Sequence, residues 1–356
     1  MIRVAITHGD INGIGYEVIF KTFEDPTMLE LCTPIIYGSP KIASYHRKVL
    51  DIQTPYVIIN NIDDVQEGKL NIFTCFDEEV KVEFGAATPE AGECAIKALD
   101  MAIEDYQNGM FDVLVTLPLN RNLIHGFAGQ MEYIEQKVGE GQKSLLMLMN
   151  DRLKVASVTD NMPLRSVVQN ITKEKIEEKI QILFKSLKQD FTINNPRIAV
   201  LSLNPNLADD GEMGVEENEI IAPAIDSMVG KNIQCFGPYP ADDFFANGIY
   251  THFDAVLAMY YDQGLAPFKA LATDDCFEYT AGLPIVRTAP SHGVCYDIAG
   301  KNVANEQSLR MAIYSAIDIC RNRIRDEHAH AHPLRKQYFE KRDDSDKLKL
   351  QQTDDE

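Results

Sequence analysis

No run of about 18 consecutive apolar residues occurs in this chain, so it offers no candidate membrane-spanning helix. Nor is there a signal-peptide apolar core: Met1-Ile2-Arg3-Val4-Ala5-Ile6 runs straight into a strand-like pattern. Both absences give the expectation of a soluble, cytoplasmic protein that does not engage membranes. Basic residues are scarce. The chain has 34 Lys and Arg against 54 Asp and Glu, a formal charge of -20, and no clustered basic face, which excludes a phosphate-backbone footprint and hence nucleic-acid binding. The acidity favours solubility. A cysteine framework is missing too. Cys32, Cys75, Cys94, Cys235, Cys276, Cys295 and Cys320 are scattered, odd in number and without a C-x-x-C pair, so they read as reduced, mostly buried thiols rather than disulfides or zinc ligands. No internal repeat is present.

What remains is a chain of 356 residues, 45% apolar and 25% charged, long enough for a large core and for two lobes. Short β-branched runs alternate with longer segments of helical period, the α/β signature. Strands are expected at Arg3–Thr7, Thr33–Tyr37, Val113–Thr116, Val155–Thr159, Arg197–Ser202 and Ala255–Met259, and amphipathic helices at Ala91–Asn108, Lys173–Asp190 and Gln307–Arg325. Tyr261–Thr288, rich in Gly, Asp and Pro, reads as loop and short strand, where sites usually sit. From Asp326 the chain turns polar and charged. Residues 326–356 are therefore set apart from 1–325 as a disordered tail, in which the alternating His328, His330 and His332 read as solvated rather than as metal ligands.

Thr7-His8-Gly9-Asp10-Ile11-Asn12-Gly13-Ile14-Gly15-Tyr16-Glu17 follows the first strand and precedes a helix. Its glycines would let backbone amides approach an anionic cofactor group, or would simply make a tight strand-to-helix turn; the spacing is not that of a Rossmann fingerprint. Other segments carry polar residues in loops: Val115-Thr116-Leu117-Pro118-Leu119-Asn120-Arg121, Gly129-Gln130-Met131-Glu132-Tyr133, Thr159-Asp160-Asn161-Met162-Pro163-Leu164, Leu203-Asn204-Pro205-Asn206, Met259-Tyr260-Tyr261-Asp262-Gln263-Gly264-Leu265, Gly282-Leu283-Pro284-Ile285-Val286-Arg287-Thr288 and His292-Gly293.

In collinear order over residues 2–325, these segments resemble the 4-hydroxythreonine-4-phosphate dehydrogenase family of vitamin B6 biosynthesis, with patterns G-D-x-x-G-I-G-x-E, V-T-x-P-x-x-K, G-H-T-E-[YF], T-x-H-x-P-L, L-N-P-H-A-G, M-Y-H-D-Q-G-L and L-G-L-P-x-x-R-T. The resemblance implies a two-lobed α/β fold of the isocitrate and isopropylmalate dehydrogenase type, with parallel-rich mixed sheets, no Rossmann domain and a cleft between lobes. It also implies NAD, held near Gly9, Asp10, Gly13 and Gly15; a small phosphorylated amino-acid-like substrate contacted by Lys269 and Arg287; a homodimer whose clefts draw on both subunits; and Asp262, with His292, as candidate catalytic groups.

Where the family has three histidines on a divalent metal, this chain has Asn161, Asn206 and Tyr261. Neutral amides and an unionised phenol are poor zinc ligands, so no metal is expected at those positions. The acids Asp160, Asp209, Asp210, Glu212 and Asp262 beside them leave open an oxygen site for magnesium or manganese. Gln130 and Met131 replace a substrate-binding His-Thr pair, Glu278 replaces an asparagine, and Arg121 replaces a lysine; a guanidinium cannot shuttle a proton at working pH. Three functions follow: the family's NAD-dependent oxidation of 4-phosphohydroxy-L-threonine, a catalytically inactive paralogue that binds a ligand or regulates, and a metal-independent oxidoreductase with a changed substrate in which Tyr260, Tyr261 or His292 serves as acid or base.

Overall fold

The computed structural model describes residues 1–76, 79–272 and 274–331, the side chains of 208–210 excepted. Twelve strands form one sheet: β1 (Arg3–Thr7), β2 (Thr33–Gly38), β3 (Val57–Ile59), β4 (Asn71–Thr74), β5 (Val113–Thr116), β6 (Leu145–Met149), β7 (Lys154–Ser157), β8 (Ile198–Leu201), β9 (Cys235–Tyr239), β10 (Ala255–Ala258), β11 (Phe277–Ala281) and β12 (Val286–Pro290). Their order is β3-β4-β2-β1-β5-β12-β11-β6-β7-β10-β8-β9. Only the steps β12–β11, β11–β6 and β6–β7 are antiparallel. Because that is an odd number of reversals, the parallel block on one side of the sheet points opposite to the block on the other. The expected α/β class with a large mixed sheet is what the chain forms.

The two faces of this sheet are packed differently. On one face a single core cluster runs the whole width, from Val4, Ile36 and Val115 through Met147 and Tyr279 to Val200 and Leu257. Strand residues alternate faces. The neighbours Ala5, Ile35, Tyr37 and Leu114 therefore face the other way, where they pack with Ala98, Leu99 and Ala102 of the Pro89–Gln107 helix. Leu148, Val155, Ala199 and Val256 on that same face belong to a separate cluster with Phe244, Leu265 and Phe268. One face carries a continuous core and the other carries two cores with a gap between them.

All six expected strands form, with ends shifted by no more than two residues, as do helices Pro89–Gln107 and Lys173–Gln189. All seven cysteines are free. Two expectations are corrected. Tyr261–Leu271, read as loop, is a helix: Gly264 lies so close to the sheet that a Cβ there would sit 2.7 Å from Val155, so its glycine serves close packing, and Pro267 is accommodated inside the helix. The last helix runs on past Arg325 to Ala331, placing His328 and His330 on a helix, where residues two apart do not face each other. The reading of the tail from His332 onward falls outside the described residues. Among the described residues no helix is long and apolar enough to cross a membrane.

Candidate functional site

Polar side chains emerge in the gap on the divided face. Thr116 ends β5, Glu278 and Thr280 alternate with the core residue Tyr279 on β11, and Arg287 alternates with Val286 on β12. Thr116, Leu146, Glu278, Arg287 and Ala289 line a cavity of about 240 Å³. Its remaining wall includes Arg121, Gln130, Met131, Asp160, Asn161, Tyr261 and His292, so residues from motifs far apart in sequence meet in one place.

Arg287 is only 4% exposed, which rules out the surface ion pair that sequence alone allowed. Its Nε donates to Thr116 Oγ1 at 2.9 Å and its Nη2 to the same oxygen at 2.6 Å, while Nη1 donates to Thr280 Oγ1 at 3.1 Å. Nη2 also reaches Gln130 Oε1 at 3.4 Å, and Nη1 lies 3.8 Å from the Glu278 carboxylate. Gln130 is held by donating to the Leu117 carbonyl at 2.9 Å. Desolvation lowers the Arg287 pKa, opposed by Glu278 and Glu132. Desolvation raises the half-buried Glu278 carboxyl, with Arg287 and Lys269 pulling it back.

His292 occupies a second distinctive position. Its Nδ1 lies 2.8 Å from the Gly293 carbonyl. A carbonyl can only accept, so Nδ1 carries the proton and Nε2 the lone pair. That Nε2 is buried and has no hydrogen-bond partner among the described residues, and desolvation lowers the ring's pKa, so the imidazole is neutral. His292 also lines an adjoining cavity of about 220 Å³ with Ile14, Asp274, Ser291, Asn305 and Ser308. Across the first cavity, desolvation together with Glu278 and Asp262 raises the pKa of the Tyr261 phenol, which stays protonated and can donate.

Other expected residues lie elsewhere. Asp262 is exposed and outside the cavity lining, because one residue along a helix from Tyr261 is a rotation of about 100°. Lys269 is exposed in the last turn of the same helix, with Nζ 3.4 Å from the Ser291 carbonyl. Asn206 sits exposed in Pro205–Gly211 with φ 50° and is not part of the cavity lining that holds Asn161 and Tyr261. The glycine turn faces the chain itself: at Gly9, where φ is +70°, a Cβ would lie 2.4 Å from the Pro118 carbonyl, and at Gly15 2.1 Å from that of His8. Asp10, 2% exposed, accepts from the Asn12 amide at 2.8 Å and from the Tyr296 hydroxyl at 2.6 Å. These residues pin the loops at 118 and 294–296 together, and Ile14 is the turn residue that reaches the second cavity.

The residues at the family's metal positions do not fit zinc. Asn161 and Tyr261 offer a neutral amide and a protonated phenol, and Asn206, another neutral amide, lies outside the cavity lining. No group of three or more His, Cys, Asp or Glu side chains that could hold a metal ion is found among the described residues. Of the acids that could have rebuilt an oxygen site, Asp160 lines the cavity, Asp262 and Glu212 are exposed outside it, and the side chains of Asp209 and Asp210 lie outside the described residues.

Sequence reading missed several residues that shape this region. Thr116 and Thr280 cradle Arg287; each stands in a quoted or neighbouring strand, but only the alternation of β11 and β12 reveals that they share its face. Gln263 ties two strand ends, accepting from the Met259 amide at 2.7 Å and donating to the Ser202 carbonyl at 2.6 Å. Glu217, buried, accepts from the amides of Leu203 and Asn204 and so fixes the start of the Asn206 segment. A separate cavity of about 760 Å³ lies against Lys173–Gln189 and Gly282–Pro284 and contains none of the expected site residues.

Comparison with known proteins places this geometry in context. Residues 30–316 match the family described as pyridoxal phosphate biosynthetic protein PdxA. A 4-hydroxythreonine-4-phosphate dehydrogenase of Bacteroides thetaiotaomicron is 58% identical, covering 100% of this chain and 99% of that protein. One of Sulfurihydrogenibium is 36% identical over 89% of this chain and 98% of its own. The crystal structure of 4-hydroxythreonine-4-phosphate dehydrogenase from Klebsiella pneumoniae superposes with a TM-score of 0.73 at 27% identity, covering 90% of this chain and 98% of that one.

Proposed function

Because the chain belongs to the PdxA family, we propose that it is an oxidoreductase of pyridoxal phosphate biosynthesis, acting in the cytoplasm to oxidise the secondary alcohol of a small hydroxylated amino acid with NAD. The observation that carries this reading is His292, whose free Nε2 lone pair stands where two cavities meet. One cavity is sized for a small polar substrate; the other offers Ser291, Asn305 and Ser308 to a sugar hydroxyl and can take part of a dinucleotide. When bound, the nicotinamide supplies the hydride acceptor.

The chain's own residues supply the rest. The His292 Nε2 takes the proton of the substrate hydroxyl as the O–H bond breaks, acting as general base in a neutral ring suited to that task. The Tyr261 phenol donates a hydrogen bond to the oxygen that becomes a carbonyl, and Arg121 faces an anionic group of the substrate. A second copy of the chain completes the assembly in this reading: Leu164 (70% exposed) and Val168 (52%) follow the cavity loop on one helix face, and Leu207, Met213 and Val215, close to Asn206 in sequence, are exposed as well. Covering them would bring Asn206 to a partner's cleft.

The test is NADH absorbance with 4-phosphohydroxy-L-threonine and with 4-hydroxy-L-threonine, each with and without zinc, magnesium or manganese. Turnover on either that falls at least roughly a hundredfold in His292→Gln, the range for loss of a general base, supports the reading. Absence of turnover on both, with NAD still bound, favours the second reading of a ligand-binding paralogue, to which the ill-fitting metal positions and the internally engaged Arg287 already lean. A monomer by light scattering would remove the dimer.

A further inference from the structure

The cavity meets its ligand with arginines that have donors to spare and with a carboxylate that accepts no hydrogen bond. Guanidinium has five N–H groups. In Arg287, Nε and Nη2 donate to Thr116, Nη1 donates to Thr280 and Nη2 also reaches Gln130 Oε1 at 3.4 Å, which leaves one Nη1 hydrogen without a hydrogen-bond partner among the described residues. Arg121 is exposed, and its guanidinium makes no hydrogen bond or ion pair among the described residues. Both arginines therefore remain open to the phosphate and carboxylate of a ligand. Glu278 stands half-buried on β11, where Arg287 Nη1 at 3.8 Å attracts its carboxylate without donating to it. Lys269 acts on Glu278 through space, but lies outside the lining with Nζ near the Ser291 carbonyl. The other acids of the lining are placed differently. Glu132 is exposed and folded back over Gly129 at the start of its own helix, and Asp160 has Lys175 as a cationic neighbour.

Resting on the reading of this cavity as the substrate site, we propose that Glu278 determines specificity at the carbon beside the ligand's carboxylate: it is the counterion of an ammonium group there, so the cavity selects a phosphorylated amino acid over the phosphorylated hydroxy acid of the same shape. The discrimination comes from charge. A carboxylate taken partly out of water and left without a donor is costly, and an arriving ammonium supplies both donors and the opposite charge. A hydroxyl at the same place gives one hydrogen bond and leaves the carboxylate uncompensated. A neutral amide, such as the asparagine of the resembling family, accepts from either group and cannot separate them by charge. Asn161 and Tyr261 leave neutral polar groups for the ligand's remaining hydroxyl.

Calorimetric titration of the full chain, with NADH present so that no hydride can be transferred, tests this with 4-phosphohydroxy-L-threonine and with D-threonate 4-phosphate, which carries a hydroxyl in place of the amine. The wild type is expected to bind the amino compound at least roughly tenfold more tightly, the worth of a hydrogen-bonded charge. Glu278→Gln, nearly isosteric, should bring the two within about threefold, chiefly by weakening the amino compound, while Glu278→Asp, which keeps the charge, should retain most of the preference. Equal or tighter wild-type binding of the hydroxy acid overturns the proposal, as does a preference unchanged in Glu278→Gln; NADH formation from NAD with either compound would then leave the dehydrogenase reading standing. The expected preference without any NADH formation keeps the proposal and removes the dehydrogenase reading. If wild type and variants bind neither compound while still binding NADH, the cavity is not the substrate site and both fall.

Discussion

Two arginine–carboxylate pairs lie on opposite faces of the same strand, β11, and they are built to different standards. Behind the strand, Arg323 Nε donates to Asp190 at 2.7 Å, its Nη1 to the Leu283 and Pro284 carbonyls at 3.0 and 2.7 Å, and its Nη2 to the Tyr279 hydroxyl at 2.9 Å. Asp190 in turn accepts from Tyr279 at 2.6 Å and from Ser186. In front of the strand, Arg287 meets hydroxyl groups at short range but its carboxylate partner only at 3.8 Å. Asp190 and Tyr279 together hold the Arg323 pKa above its ordinary value, whereas burial lowers that of Arg287. A buried pair with every atom matched welds elements together, here the Lys173–Gln189 helix, β11 and the terminal helix. A loose pair with spare capacity is a place for something else to bind.

The comparison can be broken most directly at its strong end. Asp190→Ala strips acceptors from a buried arginine, a phenol and a serine at once and should cost about 3–5 kcal/mol in urea unfolding. A loss below about 1 kcal/mol would mean the welded pair is no more structural than the open one.

The sealed side also contains titratable groups, and acid sharpens the contrast. His8 is fully buried and stacked on Tyr16, and His46 lies 5.1 Å from the same ring; desolvation lowers their pKa values to about 3 and about 4. Both values lie below the unfolded value of about 6.5, so the unfolded chain binds the extra protons. The stability they contribute is complete above about pH 6.5 and is lost as pH falls towards about 4 and then about 3. Each histidine should steepen the loss by about 1.4 kcal/mol per pH unit in that window, and His46→Gln should remove one such increment. Denaturation curves at pH 7, 5.5 and 4.5 measure it; identical slopes in wild type and variant would show that His46 is not titrating with folding.

At the weak end, Glu278→Gln should change the unfolding free energy by about 1 kcal/mol or less, because a distant pair repays little of its desolvation. Destabilisation comparable to Asp190→Ala would make Glu278 part of the weld. Smaller and more local, Tyr296→Phe removes the hydroxyl that Asp10 accepts from and that Asn120 donates to at 3.4 Å. A loss of about 1 kcal/mol is expected, with proteolysis sites near residues 118 and 296 opening first.

Much of this was legible before folding was considered. Buried parallel strands such as Val113–Thr116 are continuous β-branched runs, and the helices at 89–107 and 173–189 carry a clear apolar stripe, so their periods announce them. Tyr261–Leu271 was hidden because glycine and proline count as breakers in isolation, and only the distance to Val155 shows why a glycine is wanted there. At the site, motif positions nominated Arg287, Gln130, Tyr261 and His292, which the structure brings to the wall of one cavity. They could not separate Tyr261 from its neighbour Asp262, which a helical turn carries out of the cavity, nor show that the glycine turn is filled by the chain's own carbonyls. Those facts depend on side-chain direction, which residue type does not encode.

The strand order has a temporal consequence. β5 ends at Thr116, yet its outer neighbour β12 begins at Val286, and β6 waits for β11 at Phe277. On a ribosome the amino-terminal parallel block therefore emerges with an unpaired, apolar edge that stays open while residues 117–285 are made. That interval is when the nascent chain is most exposed to edge-to-edge association and to chaperones. The sheet closes only when a hairpin from near the carboxyl end slides into its centre.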